Sequence, residues 1–236
     1  MKSSVDDIRR RFDADVERFS NLETGQTAAM DALCALDLIS LSAAAATPEA
    51  RQLLDVGCGA GNFTLRLLDR LPGLDCTLLD LSRPMLDRAM ERVGPATSGT
   101  VSMIQADLRE TDLREGQFDL IVAAAVLHHL RTDDEWRHVF AAFHRALRPG
   151  GSLWVYDLVE SEIPAVGQIL WQRYGEYLAG LQDEAYRDKV FAYIDKEDTP
   201  RPVSFQLELL RAVGFEQIDL LHKQACFAAY GAVRVA

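Results

Sequence analysis

From Arg51 onward the chain alternates short apolar runs with longer amphipathic segments. The runs Gln52–Val56, Cys76–Leu79, Val101–Gln105, Phe118–Ala124 and Ser152–Leu158 are predominantly apolar, the character expected of strands covered on both faces. Between them lie helix-like segments with recognisable ends. Asn62–Leu71 stops at Pro72-Gly73, Ser82 caps a segment with Pro84 in its first turn, and Asp133–Leu147 stops at Arg148-Pro149-Gly150-Gly151. This rhythm predicts an α/β fold, a doubly wound, Rossmann-like parallel sheet. Two later runs, Phe215–Leu221 and Ala225–Val235, are joined only by residues around His222-Lys223-Gln224. That link is too short for a crossover helix, so the pair is predicted antiparallel.

Two segments lie outside the rhythm. The charged start is followed by Thr27–Ala46, which has the composition and apolar spacing of an amphipathic helix and is stopped by Thr47-Pro48. Residues 1–47 thus read as an N-terminal helical extension. Residues 160–202, rich in aromatic and charged side chains from Trp171 to Tyr193, read as mostly helix where the chain leaves the C-terminal end of the fifth strand. Ligands bind at that end of such sheets, so the segment is a candidate lid, with packing or a dimer contact as the alternative.

Composition narrows the partners. A chain of 236 residues with 48% hydrophobic side chains can bury one full core, so residues 1–236 are expected to form a single domain. The net charge of -11, with Lys and Arg scattered, disfavours nucleic acid. The four cysteines lack the paired spacing of a zinc site, and no His, Asp and Glu set shows ligand spacing, so no metal is expected. Neither a signal-peptide core nor a bilayer-length apolar stretch is found, so the expectation is a cytoplasmic protein with a small-molecule partner, and a homodimer stays open.

Leu53–Leu68 reads as strand, tight loop and helix start. Gly57, Gly59 and Gly61 clear the backbone for a ligand or allow the turn. Their G-x-G-x-G spacing departs from the dinucleotide fingerprint, which wants its third glycine where Asn62 stands. About 20 residues on, Asp80, followed by Leu81, ends the second strand where a ribose-binding acid is expected. It could instead cap the next helix, but Ser82 is better placed to do so. Asp107, between Ala106 and Leu108, ends the third strand at the same sheet edge. There a carboxylate can accept from an adenine amino group while neighbouring backbone amides meet the ring nitrogens; a solvated loop aspartate is the alternative.

The segments LLDVGCGAG, LLDLS, QADL, FDLIVAAAVLHHL and LRPGG, in this order, resemble class I S-adenosylmethionine-dependent methyltransferases. The resemblance implies a seven-stranded sheet with the last strand antiparallel. It implies S-adenosyl-L-methionine as cofactor, with S-adenosyl-L-homocysteine as product. By motif position it places Asp55, Gly57, Gly59 and Gly61 around the methionine part, Asp80 at the ribose, Asp107 at the adenine, and Ala124 near the ammonium or sulfonium end. Candidate bases are His128 and His129 after the fourth strand, of which at most one is expected to face the pocket, and Asp157 ending the fifth. The two histidines could instead shape the cofactor shell. The C-terminal portion is also similar to carboxy-S-adenosylmethionine synthases, whose carboxylate-binding arginine falls near Leu209, with Arg211 displaced along the helix. A tRNA methyltransferase and a non-catalytic cofactor-binding subunit complete the alternatives.

Overall fold

The apolar runs assemble into one seven-stranded sheet. The structure, a computed structural model, describes residues 2–21 and 25–235. Of the 1–47 extension, Met1 and residues 22–24 lie outside the described residues, as does Ala236 at the other end. The strands are β1 (Gln52–Val56), β2 (Asp75–Asp80), β3 (Val101–Gln105), β4 (Phe118–Ala124), β5 (Leu147–Leu158), β6 (Gln217–Gln224) and β7 (Phe227–Val233). Their order is β3-β2-β1-β4-β5-β7-β6. Strands β1 to β5 pair in parallel, and β7 runs antiparallel to both neighbours, β5 and β6.

Helices α1 (Val5–Ala14), α2 (Val16–Ser20), α3 (Ala32–Ala46), α4 (Asn62–Leu68), α5 (Arg83–Val93), α6 (Asp133–Ala146), α7 (Pro164–Leu181), α8 (Glu184–Glu197) and α9 (Val203–Ala212) complete the described elements. Because side chains alternate along a strand, each parallel strand feeds two cores. Leu53, Leu78 and Leu120 pack with Leu36 and Ile39 of α3 and Leu86 of α5 on one face. Leu54, Leu79 and Ile121 pack with Trp136, Phe140 and Phe143 of α6 on the other. This double burial explains the continuous apolar runs.

Several boundaries differ from the sequence expectation. Helix α3 starts at Ala32 rather than Thr27 because Asp31 adopts a left-handed backbone (φ 59°). Helix α4 ends at Leu68, short of the expected Leu71. Strand β5 begins at Leu147, which pairs with Phe118 before a register shift, so the Arg148–Gly151 stop signal lies inside the strand. The terminal hairpin turns at Ala225-Cys226, with Ala225 at φ 46°, while Lys223 and Gln224 stay paired with Ala228 and Phe227.

Residues 160–202 supply α7 and α8. Their aromatic residues anchor as well as cover: the Tyr174 hydroxyl donates to the Ala28 carbonyl at 2.8 Å, and Trp171 meets Phe191 edge to face at 5.4 Å. The N-terminal helices are tied to both sides. Asn62 Nδ2 donates to the Phe19 carbonyl at 2.9 Å, and Arg11 Nε donates to Glu197 Oε2 at 3.1 Å.

Candidate active site

Strands β1 and β4 are neighbours from which the chain winds in opposite directions, and a crevice opens beyond their C-terminal ends. Here it is a cavity of about 720 Å³, covered by Ile8 and Phe12 of α1, Phe19 of α2 and Tyr186, Val190 and Ile194 of α8. Asp55, Gly57, Gly59, Asp80, Leu81, Ala106, Asp107, Leu108, Ala124, His128 and His129 all line it. Gly61 and Asp157 do not.

The loop after β1 is fastened to the end of β2, since the Gly57 and Cys58 amides donate to the Leu79 carbonyl at 2.8 and 3.1 Å. Gly57 has φ 65°, and a Cβ there would stand 2.6 Å from Val126 Cγ2. Gly59 has φ 50° and faces open space, so its backbone is bare to the cavity. Gly61 (φ 81°) is the N-cap of α4; it serves the turn rather than the wall.

Two carboxylates flank this loop, Asp55 buried and Asp80 partly buried. Asp55, 1% exposed, accepts from the Thr64 hydroxyl at 2.6 Å. Burial pushes its carboxyl up to about 7 against that hydrogen bond, with the Asp80 charge adding to the rise. Asp80 accepts from the Gly59 amide at 2.9 Å and from the Ser82 amide at 2.8 Å, while Ser82 itself caps α5 by accepting from the Met85 amide. Burial also raises Asp80, over the opposing backbone hydrogen bonds. Neither acid has an ion-pair partner among the described residues. Asp107 differs: burial would raise it, but Arg109, held bidentately, outweighs that and keeps it low. Arg109, for which the sequence pattern suggested no role, therefore fixes this acid at the cavity wall.

His128 and His129 both reach the cavity, because they lie on a 3-10 turn, Leu127–His129, instead of continuing the strand. Their ring centroids are 4.4 Å apart. Asp157, fully buried, stands behind His128: it accepts from the Leu127 amide at 2.7 Å and hydrogen-bonds His128 Nδ1. As it does not line the cavity, its action on a ligand must pass through His128. Asp198, at the end of α8, approaches from the other side, with its Oδ1 3.2 Å from His129 Nδ1. Burial works against charge on His128, yet Asp157 and Asp198 outweigh it and raise the imidazole to about 9. Burial and the neighbouring His128 charge lower His129. Asp198 has no local sequence signal because only the folding of residues 160–202 brings it here. The C-terminal helix contributes nothing to the wall: Leu209 is buried in the core beneath it and Arg211 is exposed.

A sheet of this order, with an inserted antiparallel β7 and a glycine loop at the switch point, is the Rossmann-like fold of class I methyltransferases. Residues 53–151 match the methyltransferase domain model, so the chain carries a methyltransferase domain over that stretch. Malonyl-[acyl-carrier protein] O-methyltransferase of Geobacter sulfurreducens is 36% identical over 103 residues, 44% of this chain and 37% of that protein. The protein of the same name from Paenibacillus sp. is 30% identical over 148 residues, 62% of this chain and 52% of that protein. The chain thus spans about a third to about half of the length of these curated relatives. Among solved structures, Burkholderia thailandensis 1,6-didemethyltoxoflavin-N1-methyltransferase, with bound 1,6-didemethyltoxoflavin and S-adenosylhomocysteine, superposes with a TM-score of 0.62 at 19% identity, covering 97% of this chain and 88% of that one. No helix among the described residues is long and apolar enough to cross a membrane.

Proposed function

We propose that this protein transfers a methyl group from S-adenosylmethionine to a small-molecule acceptor held beneath α1 and α8. The observation that carries the reading is the pair Asp55, buried, and Asp80, partly buried, both without ionic partners among the described residues and lining a cavity at the glycine loop. Buried carboxylates without counter-charges are costly, and a ligand with ammonium and sulfonium centres offsets that cost. The bare Gly59 backbone gives such a ligand room. The cofactor, when bound, supplies a methyl group on a cationic sulfur that leaves as a neutral thioether, so no acid is needed for the leaving group.

The chain's part is binding and orientation. Asp80 is assigned to the ribose hydroxyls and Asp107, held by Arg109, to the adenine edge, with Leu81, Ala106 and Leu108 supplying backbone and apolar contacts. Asp55, Gly57 and Ala124 border the methionine end, and Gly61 shapes the loop. His128 and His129 receive the polar atom of the acceptor, and Asp157 is a positioning residue that fixes the His128 ring. Apolar side chains of the cover, including Ile8, Phe12 and Val190, suit a flat or aliphatic acceptor body. The relatives' names point to small or carrier-bound acceptors for those proteins, which is the support for a small acceptor here.

With no α9 side chain at the cavity, the carboxylated-cofactor reading finds no arginine from that helix in the wall. The test is to release and weigh whatever copurifies with the protein, then assay transfer from labelled S-adenosylmethionine to a panel of hydroxyl, amine and carbon acceptors. Recovery of S-adenosylmethionine or S-adenosylhomocysteine with turnover supports the proposal. Recovery of NAD or of carboxy-S-adenosylmethionine overturns it.

A further inference from the structure

In the histidine wall of the cavity, potential ligand atoms of three side chains converge on one another. His129 Nδ1 lies 3.2 Å from Asp198 Oδ1, and His128 Nε2 lies 3.8 Å from the same oxygen. One donor atom from each of the three residues falls within 4.8 Å of the others. Both ring nitrogens of His129 and Asp198 Oδ1 are buried yet make no hydrogen bond, and Asp198 as a whole is only 3% exposed. Buried polar atoms that meet little besides one another favour an electron-poor occupant between them.

The surroundings hold these atoms in place. Asp157 engages His128 Nδ1 from behind and leaves Nε2 as the atom toward Asp198. A carboxylate behind a ligating imidazole fixes its tautomer and raises its basicity, the usual outer shell of a metal-bound histidine. The Thr199 amide donates to the His128 carbonyl at 2.7 Å, which pins the end of α8 to the histidine turn.

We propose that His128 Nε2, His129 Nδ1 and Asp198 Oδ1 form a binding site for a divalent first-row transition cation such as zinc(II). Bonds of about 2.0–2.1 Å place neighbouring donors of a tetrahedral zinc site roughly 3.3 Å apart. The distances of 3.2 and 3.8 Å need only small side-chain rotations to meet that value. Two imidazoles and one carboxylate suit zinc, cobalt(II) or iron(II), whereas magnesium and calcium prefer all-oxygen sets. Three protein donors leave a fourth position, and since both histidines line the cavity, that position is open to a donor atom of the acceptor. This last point rests on the methyltransferase reading; the site itself does not.

The experiment strips the full-length protein with a chelator and titrates it with cobalt(II), followed by visible absorption, and with zinc(II), followed by competition with a chromogenic chelator. No cofactor or acceptor is present, so failure of methyl transfer leaves the result untouched. One equivalent of either ion is expected to bind, without the intense thiolate band that cysteine ligation gives. Asp198→Asn and His129→Gln, checked for fold by circular dichroism, should abolish binding, and Asp157→Asn should weaken it about 10–100-fold. Cys34→Ser, at an exposed thiol away from the cavity, should bind as the wild type does. The proposal is overturned if the wild type takes up neither ion, or if uptake survives in both the Asp198 and His129 variants.

Discussion

Asp80 ties the glycine loop to the start of α5 with one carboxylate, and under the proposed function the same group holds the ribose. Its oxygens accept from the Gly59 and Ser82 amides and still face the cavity. Asp80→Ala should therefore weaken S-adenosylmethionine and S-adenosylhomocysteine alike, by about 1.5–3 kcal/mol for the lost hydrogen bonds to a charged group. Calorimetric titration of a variant with an unaltered far-UV spectrum measures this, and equal affinities for variant and wild type would exclude Asp80 from the ribose. Asp55 gives a pH signature. Burial first, against the Thr64 hydrogen bond, lifts its pKa to about 7, above the ordinary carboxylate value of about 3.9. Because the raised pKa belongs to the folded state, the associated stability is present at low pH and is lost as pH rises toward 7. A cationic ligand needs the ionised form, so its affinity should rise with pH, by up to about tenfold per unit below 7, and level off above it. Titrations between pH 5.5 and 8 check this, and Asp55→Asn should flatten the curve.

At the scale of elements, a side chain's consequence depends on what the neighbouring element allows. The loop from β1 to α4 closes only because Gly57 takes φ 65° with no Cβ facing Val126 on the β4 exit. Gly57→Ala should lower stability by more than about 1 kcal/mol and reduce cofactor affinity, as read by denaturant melts and calorimetry. A variant as stable as the wild type would show that the loop yields. The helical cover is different in kind. In α8 only Glu197 is buried among the described side chains, whereas β4 is buried along nearly its whole length. Few buried contacts mean low local stability, so amides of α8 should exchange hydrogen faster than those of β4 and slow when cofactor and acceptor are both bound. Protection equal to that of β4 in the free protein would make α8 a fixed wall rather than a lid. The strands were the most legible elements: β1, β3 and β4 have the limits their apolar runs predicted, and in β1 and β4 burial on both faces writes itself into most positions, while the edge strand β3 has no buried residue. Boundaries set by a single backbone conformation, such as Asp31 before α3 or Ala225 in the last hairpin, have no counterpart in hydrophobic pattern. The acids at strand ends were legible for the same topological reason, but the histidine turn was not, since a 3-10 turn sends both rings to one side where an extended chain would part them.

At the scale of the whole molecule, the cavity is assembled from segments far apart in sequence, which is why Arg11 and Asp198 escaped a reading by local spacing, whereas Arg109 stands only two residues from Asp107 and carried no motif of its own. Their arrangement also defines which ligands the cavity accepts. Arg11, Arg18 and Arg109 all line it, yet each is already engaged, by Glu197, Asp15 and Asp107 respectively. Those pairings leave these three arginines little capacity to receive a pyrophosphate, while the carboxylates of Asp55 and Asp80 beside the glycine loop would repel one. A ligand with no phosphate and a cationic sulfur meets the opposite conditions. Binding to the folded state alone adds about 2.7 kcal/mol of stability at a ligand concentration one hundred times Kd. For a chain of this length, each kcal/mol moves the melting temperature by about 2–4 °C. S-Adenosylmethionine and S-adenosylhomocysteine at that excess should therefore raise Tm by roughly 5–11 °C, and NAD at the same concentration should leave it in place. Differential scanning fluorimetry of ligand-stripped protein makes the comparison. A shift with NAD and none with S-adenosylmethionine would mean that the acids are not matched by a sulfonium, and the cofactor assignment would fall with it.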